Sequence, residues 1–97
     1  MILEVATINI QPGTRAAFES AFIEARKVIA QAEGCGRVVL QRSVDTAGRY
    51  LVFIEWPSVR HHMEGFRNSP LFPQWRRLIG PYFAVPPVVE HFEIAQP

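Results

Sequence analysis

An α+β fold in the order β-α-β-β-α-β, with a four-stranded antiparallel sheet carrying both helices on one face, is what this sequence predicts. Three observations predict it. Apolar residues alternate loosely in "MILEVATINI" and recur in the β-rich runs "RVVLQRSV", "RYLVFIEW" and "VVEHFEI", as strands require. After Thr14 the apolar spacing changes to the three-and-four pattern of one helix face. A second helical stretch, interrupted by Asn68-Ser69-Pro70, lies between the third and fourth strands.

The elements follow in order. "QPGT" ends the first strand. Phe18, Phe22, Ala25, Ile29 and Ala32 then share a helix face, with Glu19, Glu24, Arg26 and Lys27 on the others, and Gly34 and Gly36 end the helix. "DTAG" joins the next two strands as a hairpin, and Trp56-Pro57 closes the second of them. Ser58 is a good N-cap for a short helix with Val59, His62, Met63 and Phe66 facing inward. A further helix, about Leu71 to Ile79, presents Leu71, Phe72, Trp75, Leu78 and Ile79, and Gly80-Pro81 stops it. The order is the ferredoxin-like split βαβ arrangement.

The third strand is apolar on both sides. Tyr50, Val52, Ile54 and Trp56 take one face, Leu51 and Phe53 the other. A sheet with one wet face alternates cleanly, so the second face is expected to pack on a second copy of the chain. Length points the same way. The 97 residues form one domain spanning 1–97. A chain this short buries roughly 60–65% of its unfolded surface and favours a supplement to its core. The single cysteine, Cys35, excludes an internal disulfide and reads as packing. No C-x-x-C or H-x-x-x-H is present, so no metal is expected. With a net charge of +1 and no basic block, nucleic acid is not expected as a partner. The longest apolar run, Leu51 to Ile54, is too short for a membrane span. The lack of an export pattern and the lone cysteine place the chain in the cytoplasm as an expectation.

The segment "YLVFIEWPSVRHHMEGFRNSPLFPQW", with Pro12-Gly13 and Glu33 to Cys35, resembles the antibiotic biosynthesis monooxygenase (ABM) domain family. Its signature is a strand ending in E-W, a helix with a histidine and a following phenylalanine, then S-P-x-F and an aromatic helix. The resemblance covers nearly the whole chain and implies a dimeric α+β barrel with a pocket between the helices and sheet of each subunit. Members include cofactor-free monooxygenases of anthrones and quinols, haem-degrading enzymes and an isomerase of a phosphorylated signalling sugar. The positions the haem branch uses for asparagine, tryptophan and histidine hold Ala6, Phe66 and Arg76, so haem is not expected. The isomerase histidines fall at Phe66 and Leu71, and no cationic nest for a phosphate is apparent on the pocket face. No cofactor is expected.

His61 and His62 suggest a metal pair, yet adjacent helical residues point about 100° apart. His62 faces inward with Phe66, and His61 faces the rim. His62 is either a hydrogen-bonded core histidine or a pocket base, for which an imidazole titrating near neutrality is suited. Phe53, Phe66, Phe72, Trp75, Tyr82 and Phe83 are wall candidates against a reading as ordinary core, and Trp75 and Tyr82 also carry polar handles. Asn9, on the first strand with Leu3, Val5 and Thr7, is either an oxygen donor or a strand-end residue. His91 belongs to the pocket or to an interface. Glu55 is expected to pair with an arginine, Arg42 or Arg76. The expected function is cofactor-independent monooxygenation of a quinol, anthrone-like or other small aromatic substrate with His62 as base. The alternative is a non-catalytic small-molecule-binding or stress-associated dimer.

Overall fold

Strand β1 (Ile2–Asn9) turns Glu4, Ala6 and Ile8 toward the helices and Leu3, Val5, Thr7 and Asn9 away from them, as period-two alternation requires. The computed structural model describes residues 1–97. Helix α1 (Arg15–Ile29) buries Phe18, Phe22, Ala25 and Ile29, the face given by its apolar spacing. Strands β2 (Val38–Arg42) and β3 (Arg49–Trp56) form the hairpin, and β4 (Val88–Phe92) follows helix α2 (Leu71–Ile79). The sheet is antiparallel in the order β2-β3-β1-β4. It is open, with β2 and β4 as edges, so one chain does not close a barrel. No helix is long and apolar enough to cross a membrane.

Tyr50, Val52, Ile54 and Trp56 line the helix side of β3, each no more than 1% exposed. Leu51 and Phe53 point to the other face and are half-buried. At the edge, Arg42 reaches α1 and binds both oxygens of Glu19 at 2.8 and 2.7 Å. The Tyr50 hydroxyl donates to the same carboxylate at 2.6 Å. These donors, Arg42 first, hold the Glu19 carboxyl well below its usual range. Arg42 is therefore not the partner of Glu55. Glu55 sits on the outer face, where the Arg37 backbone N–H reaches its Oε1 at 3.4 Å, and Arg76 packs over aromatic rings instead.

The segment after β3 departs from the expected α-helical face. Ser58 caps it as expected, accepting from the His61 N–H at 3.3 Å. Residues His61–Phe66 then form a π-helical turn, and the Arg67 N–H reaches the His62 carbonyl five residues back at 3.0 Å. The wider turn keeps His62 and Phe66 buried and swings Val59 and Met63 into solvent at 41% and 37% exposure. His61 is held locally, its Nδ1 taking the Ser58 hydroxyl at 2.8 Å.

Gly34 ends the loop after α1 in the left-handed region, at φ +82°. A Cβ there would lie 2.8 Å from His61 Cδ2 and 2.9 Å from Pro57 Cδ. Gly13, at φ +79°, has open space at that position. Gly34→Ala is expected to cost about 2 kcal/mol or more in urea denaturation, and Gly13→Ala about 1 kcal/mol, because only the first adds a clash to the left-handed strain.

Candidate functional site

The site begins with the register of β1. Glu4 pairs with His91 on β4, so both side chains rise on the helix side of the sheet. Trp56, on the neighbouring strand, is diagonal to Glu4 and on the same face. The π-helical turn then lays His62 over them. Its ring stacks on Trp56 at 5.6 Å and on Phe66 at 6.4 Å between centroids.

These placements build a continuous polar chain inside an apolar layer. Trp56 Nε1–H donates to Glu4 Oε1 at 2.9 Å. His62 Nε2 lies 3.4 Å from the same oxygen. On its other side His62 Nδ1 meets His91 Nε2 at 2.9 Å. Glu4 and His62 are only 5% and 3% exposed, whereas His91 is half-buried at the edge strand. Burial pushes the Glu4 carboxyl up to about 7, against the opposing pull of the Trp56 bond and Arg67. Burial, with the nearby His91 and Arg67, pushes the His62 imidazole down to about 4. At neutral pH His62 is therefore uncharged, with one ring nitrogen bearing a proton and the other a lone pair. Shifting the proton from one ring nitrogen to the other, with matching transfers at each neighbour, links buried Glu4 to half-exposed His91.

A cavity of about 330 Å³ opens between the sheet and the helices beside this chain. Glu4, Ala6 and Ile8 form its floor, with His62, Phe66, Phe72 and Trp75 around the wall. Arg67, Arg76, Phe83 and Val89 also border it. Phe66 meets Phe72 and Trp75 edge-on, at 5.5 and 6.0 Å. Thus His62, Phe66, Phe72 and Trp75 come together as expected from their positions, and His91 joins them through His62 rather than on the wall.

Three expected wall or contact residues lie elsewhere. Phe53 points to the outer face of the sheet, in a shallow hollow with Leu3, Val39 and Glu55, because the even-numbered β3 residues take the helix side. Asn9 shares that outer parity, and its Oδ1 accepts from Arg49 Nε at 3.0 Å. Tyr82 sits in the turn Gly80–Tyr82 edge-on to Phe18 at 6.1 Å, outside the cavity lining. The absence of a cationic group on the pocket face is also corrected, since Arg67 and Arg76 both border the cavity. Neither Glu4 nor Trp56 is a site candidate from sequence. A carboxylate on the same parity as Ala6, Ile8 and Ile10 is the signal for Glu4, hidden because the opposite parity is equally apolar. Ala6, Phe66 and Arg76, the positions aligned with the haem branch, all border this cavity. No cluster of three or more His, Cys, Asp or Glu side chains is arranged to hold a metal ion.

Because the Glu4 pKa is raised on folding, its contribution to stability is present at low pH and lost as pH rises from about 4.5 toward about 7. Glu4→Gln lacks that dependence. The stability of the parent chain relative to Glu4→Gln is expected to fall by on the order of 2 kcal/mol across this window and to stay level below it. Denaturant titrations of both chains at pH steps through the window read this directly, and parallel curves would contradict the placement of Glu4.

The family model described as antibiotic biosynthesis monooxygenase matches residues 1–78. The Bacillus subtilis (strain 168) protein YczJ, itself uncharacterized, is 32% identical over 93 residues, covering 96% of this chain and 98% of that protein. A Bordetella bronchiseptica structure assigned to the antibiotic biosynthesis monooxygenases is 41% identical and aligns at a TM-score of 0.94, covering 98% of this chain and 97% of that one. SnoaB from Streptomyces nogalater, a cofactor-independent oxygenase solved as a mutant, is similar in fold alone, with a TM-score of 0.82 at 20% identity over 99% of this chain and 94% of that one. With the family model spanning most of the sequence and close relatives matching it nearly end to end, this chain belongs to the antibiotic biosynthesis monooxygenase family.

Proposed function

We propose that the cavity performs cofactor-independent monooxygenation of a quinol, anthrone-like or other small aromatic substrate. The observation that carries this reading is the buried, uncharged His62 on an aromatic wall, engaged unequally at its two nitrogens. Nδ1 makes a full hydrogen bond to His91 at 2.9 Å, whereas the Glu4 contact at Nε2, 3.4 Å, is longer than an ordinary N–H···O bond. Nε2 is the nitrogen free to take a substrate proton. The family membership and the fold shared with a cofactor-independent oxygenase support the same class of chemistry.

The reaction follows from these groups. Nε2 removes a proton from the activated methylene or hydroxyl of the bound ring. The imidazolium so formed lies beside the Glu4 carboxyl and the new substrate anion, whose negative charge offsets the penalty burial places on its own. His91 accepts the Nδ1 proton and carries it toward the edge of the sheet. The electron-rich substrate anion gives one electron to dioxygen, and the radical pair joins as a peroxide at the same carbon. The peroxide takes back the proton held by the His62–His91 pair, and loss of water from the hydroperoxide leaves a carbonyl, so a methylene and dioxygen become a carbonyl and water. Trp75 lines the cavity, and its indole N–H is the donor this reading assigns to the developing oxygen charge.

Oxygen uptake with a panel of quinols and anthrones tests this. His62→Ala is expected to lower kcat/KM by about 10²–10⁴, and His91→Ala by less, with the loss most evident where proton removal limits the rate. Equal rates in His62→Ala and the parent chain would leave a binding domain with a core histidine, the competing reading.

We also propose that two chains pair through the outer sheet face. Leu3, Val5, Val39, Leu51 and Phe53 are half-buried on it, and Phe92, opposite Leu3, is 48% exposed. This is a contiguous apolar surface across all four strands, of the kind that marks an interaction site. Sedimentation is expected to give twice the 11.0 kDa chain mass, and Phe53→Glu to shift the protein toward a single chain. A single-chain mass for the parent protein at micromolar concentration would overturn the pairing.

A further inference from the structure

Of the nine arginines of this chain, two border the cavity, Arg67 and Arg76. Arg15, Arg42 and Arg60 lie within 3.5 Å of carboxylates. Arg26 donates to the Val38 carbonyl and Arg49 to Asn9. Arg67 and Arg76, both bordering the cavity, have no carboxylate within 4.0 Å. They sit instead over rings of the cavity wall. The Arg67 guanidinium carbon is 5.2 Å from the Phe72 centroid, and that of Arg76 is 5.9 Å from Phe72 and 5.4 Å from Phe83. An aromatic face attracts a cation and limits its freedom while leaving N–H groups to bind an acceptor.

This makes the cavity two-ended. Its deep end holds Glu4, His62 and Phe66, all buried. Its exposed end holds Arg67 and Arg76, which share Phe72 and have no carboxylate within 4.0 Å, Arg67 acting on Glu4 only from a greater distance. Two like charges bordering one cavity raise its positive potential, and an anion bound at that margin offsets it. An acid entering the other way round would meet the Glu4 carboxyl, so the same charges also set the direction of entry.

We propose that the cavity selects an aromatic acid, with its flat apolar body against Phe66 and Trp75 and its anionic group held by Arg67 and Arg76 at the mouth. The proposal rests on reading the cavity as the substrate site and adds the charge and orientation of that substrate. The oxidisable ring carbon then faces His62, and the acid stays at the entrance and takes no part in the electron transfer.

A matched pair of fluorescent probes tests it. Anilinonaphthalene sulfonate and phenylnaphthylamine share one aromatic body and differ in the anionic group. The sulfonate is expected to bind about tenfold more tightly at low salt. Added sodium chloride should narrow that difference. The double variant Arg67→Gln, Arg76→Gln is expected to abolish the preference and leave the neutral probe within about twofold of its original affinity. Both positions are solvent-exposed, so the variant keeps its core. Val89→Trp, which crowds the cavity from the exposed edge strand, should weaken both probes. Equal binding of the two probes, or a preference that survives in the double variant, overturns the proposal and leaves the cavity reading intact. Failure of either probe to bind, or indifference of both to Val89→Trp, overturns the cavity reading together with the proposal.

Discussion

Glu4 lies on a central strand with its carboxyl turned into the apolar layer between sheet and helices. Such a group is held neutral or must be given donors, since an unpartnered carboxylate in that layer is too costly. Trp56 provides one donor from the next strand, and its indole then forms the platform on which His62 stacks. Delivering His62 to that platform takes a π-helical turn in place of a regular one. The register of β4 brings His91 up beside the same ring. The neutral imidazole, the widened turn and the polar link to the sheet edge all follow from accommodating one carboxyl group.

The two faces of the sheet divide the remaining work. The helix side combines a close-packed aromatic core with a cavity, and these are opposed demands, since each void deprives its neighbours of contacts. The conflict is localised. Phe18, Phe22, Val52 and Ile54 are each no more than 2% exposed, and the cavity beside His62 lies at the end bordered by the π-helical turn and α2. The outer face carries no buried charge and presents branched and aromatic side chains in a band across the strands.

Much of this was legible in the sequence, and the missing parts have physical causes. The strand and helix periods gave the element order, and Phe18, Phe22, Ala25 and Ile29 are the residues that α1 buries. The cap at Ser58 and the inward turn of His62 and Phe66 follow from local chemistry. The π-helical turn does not, since the apolar spacing of Val59, His62, Met63 and Phe66 fits an ordinary helix equally well. Glu4 escaped notice because Leu3, Val5 and Thr7 make the opposite parity of β1 look equally suited to the core. Phe53 was placed on the wall because aromatic character identifies a residue that packs but not the face on which it packs. Arg76 reads from sequence as a candidate partner of Glu55 and Arg67 carries no reading of its own, because only the fold brings Phe72 and Phe83 beneath them.

The register that joins Glu4 to His91 has a mechanical consequence. The first and last strands are antiparallel neighbours, and Leu3 stands opposite Phe92 at the end where both termini emerge. A force pulling the two termini apart would load this pair like the tab of a zipper, one rung at a time, instead of shearing the whole strand. Leu3 and Phe92 form the first rung, and Glu4 and His91 the next. The polar relay would therefore part while the α1 core and the β1–β3 pairing still held. Tension or a tug on either tail would separate Glu4 from His91 well before it unfolded the domain.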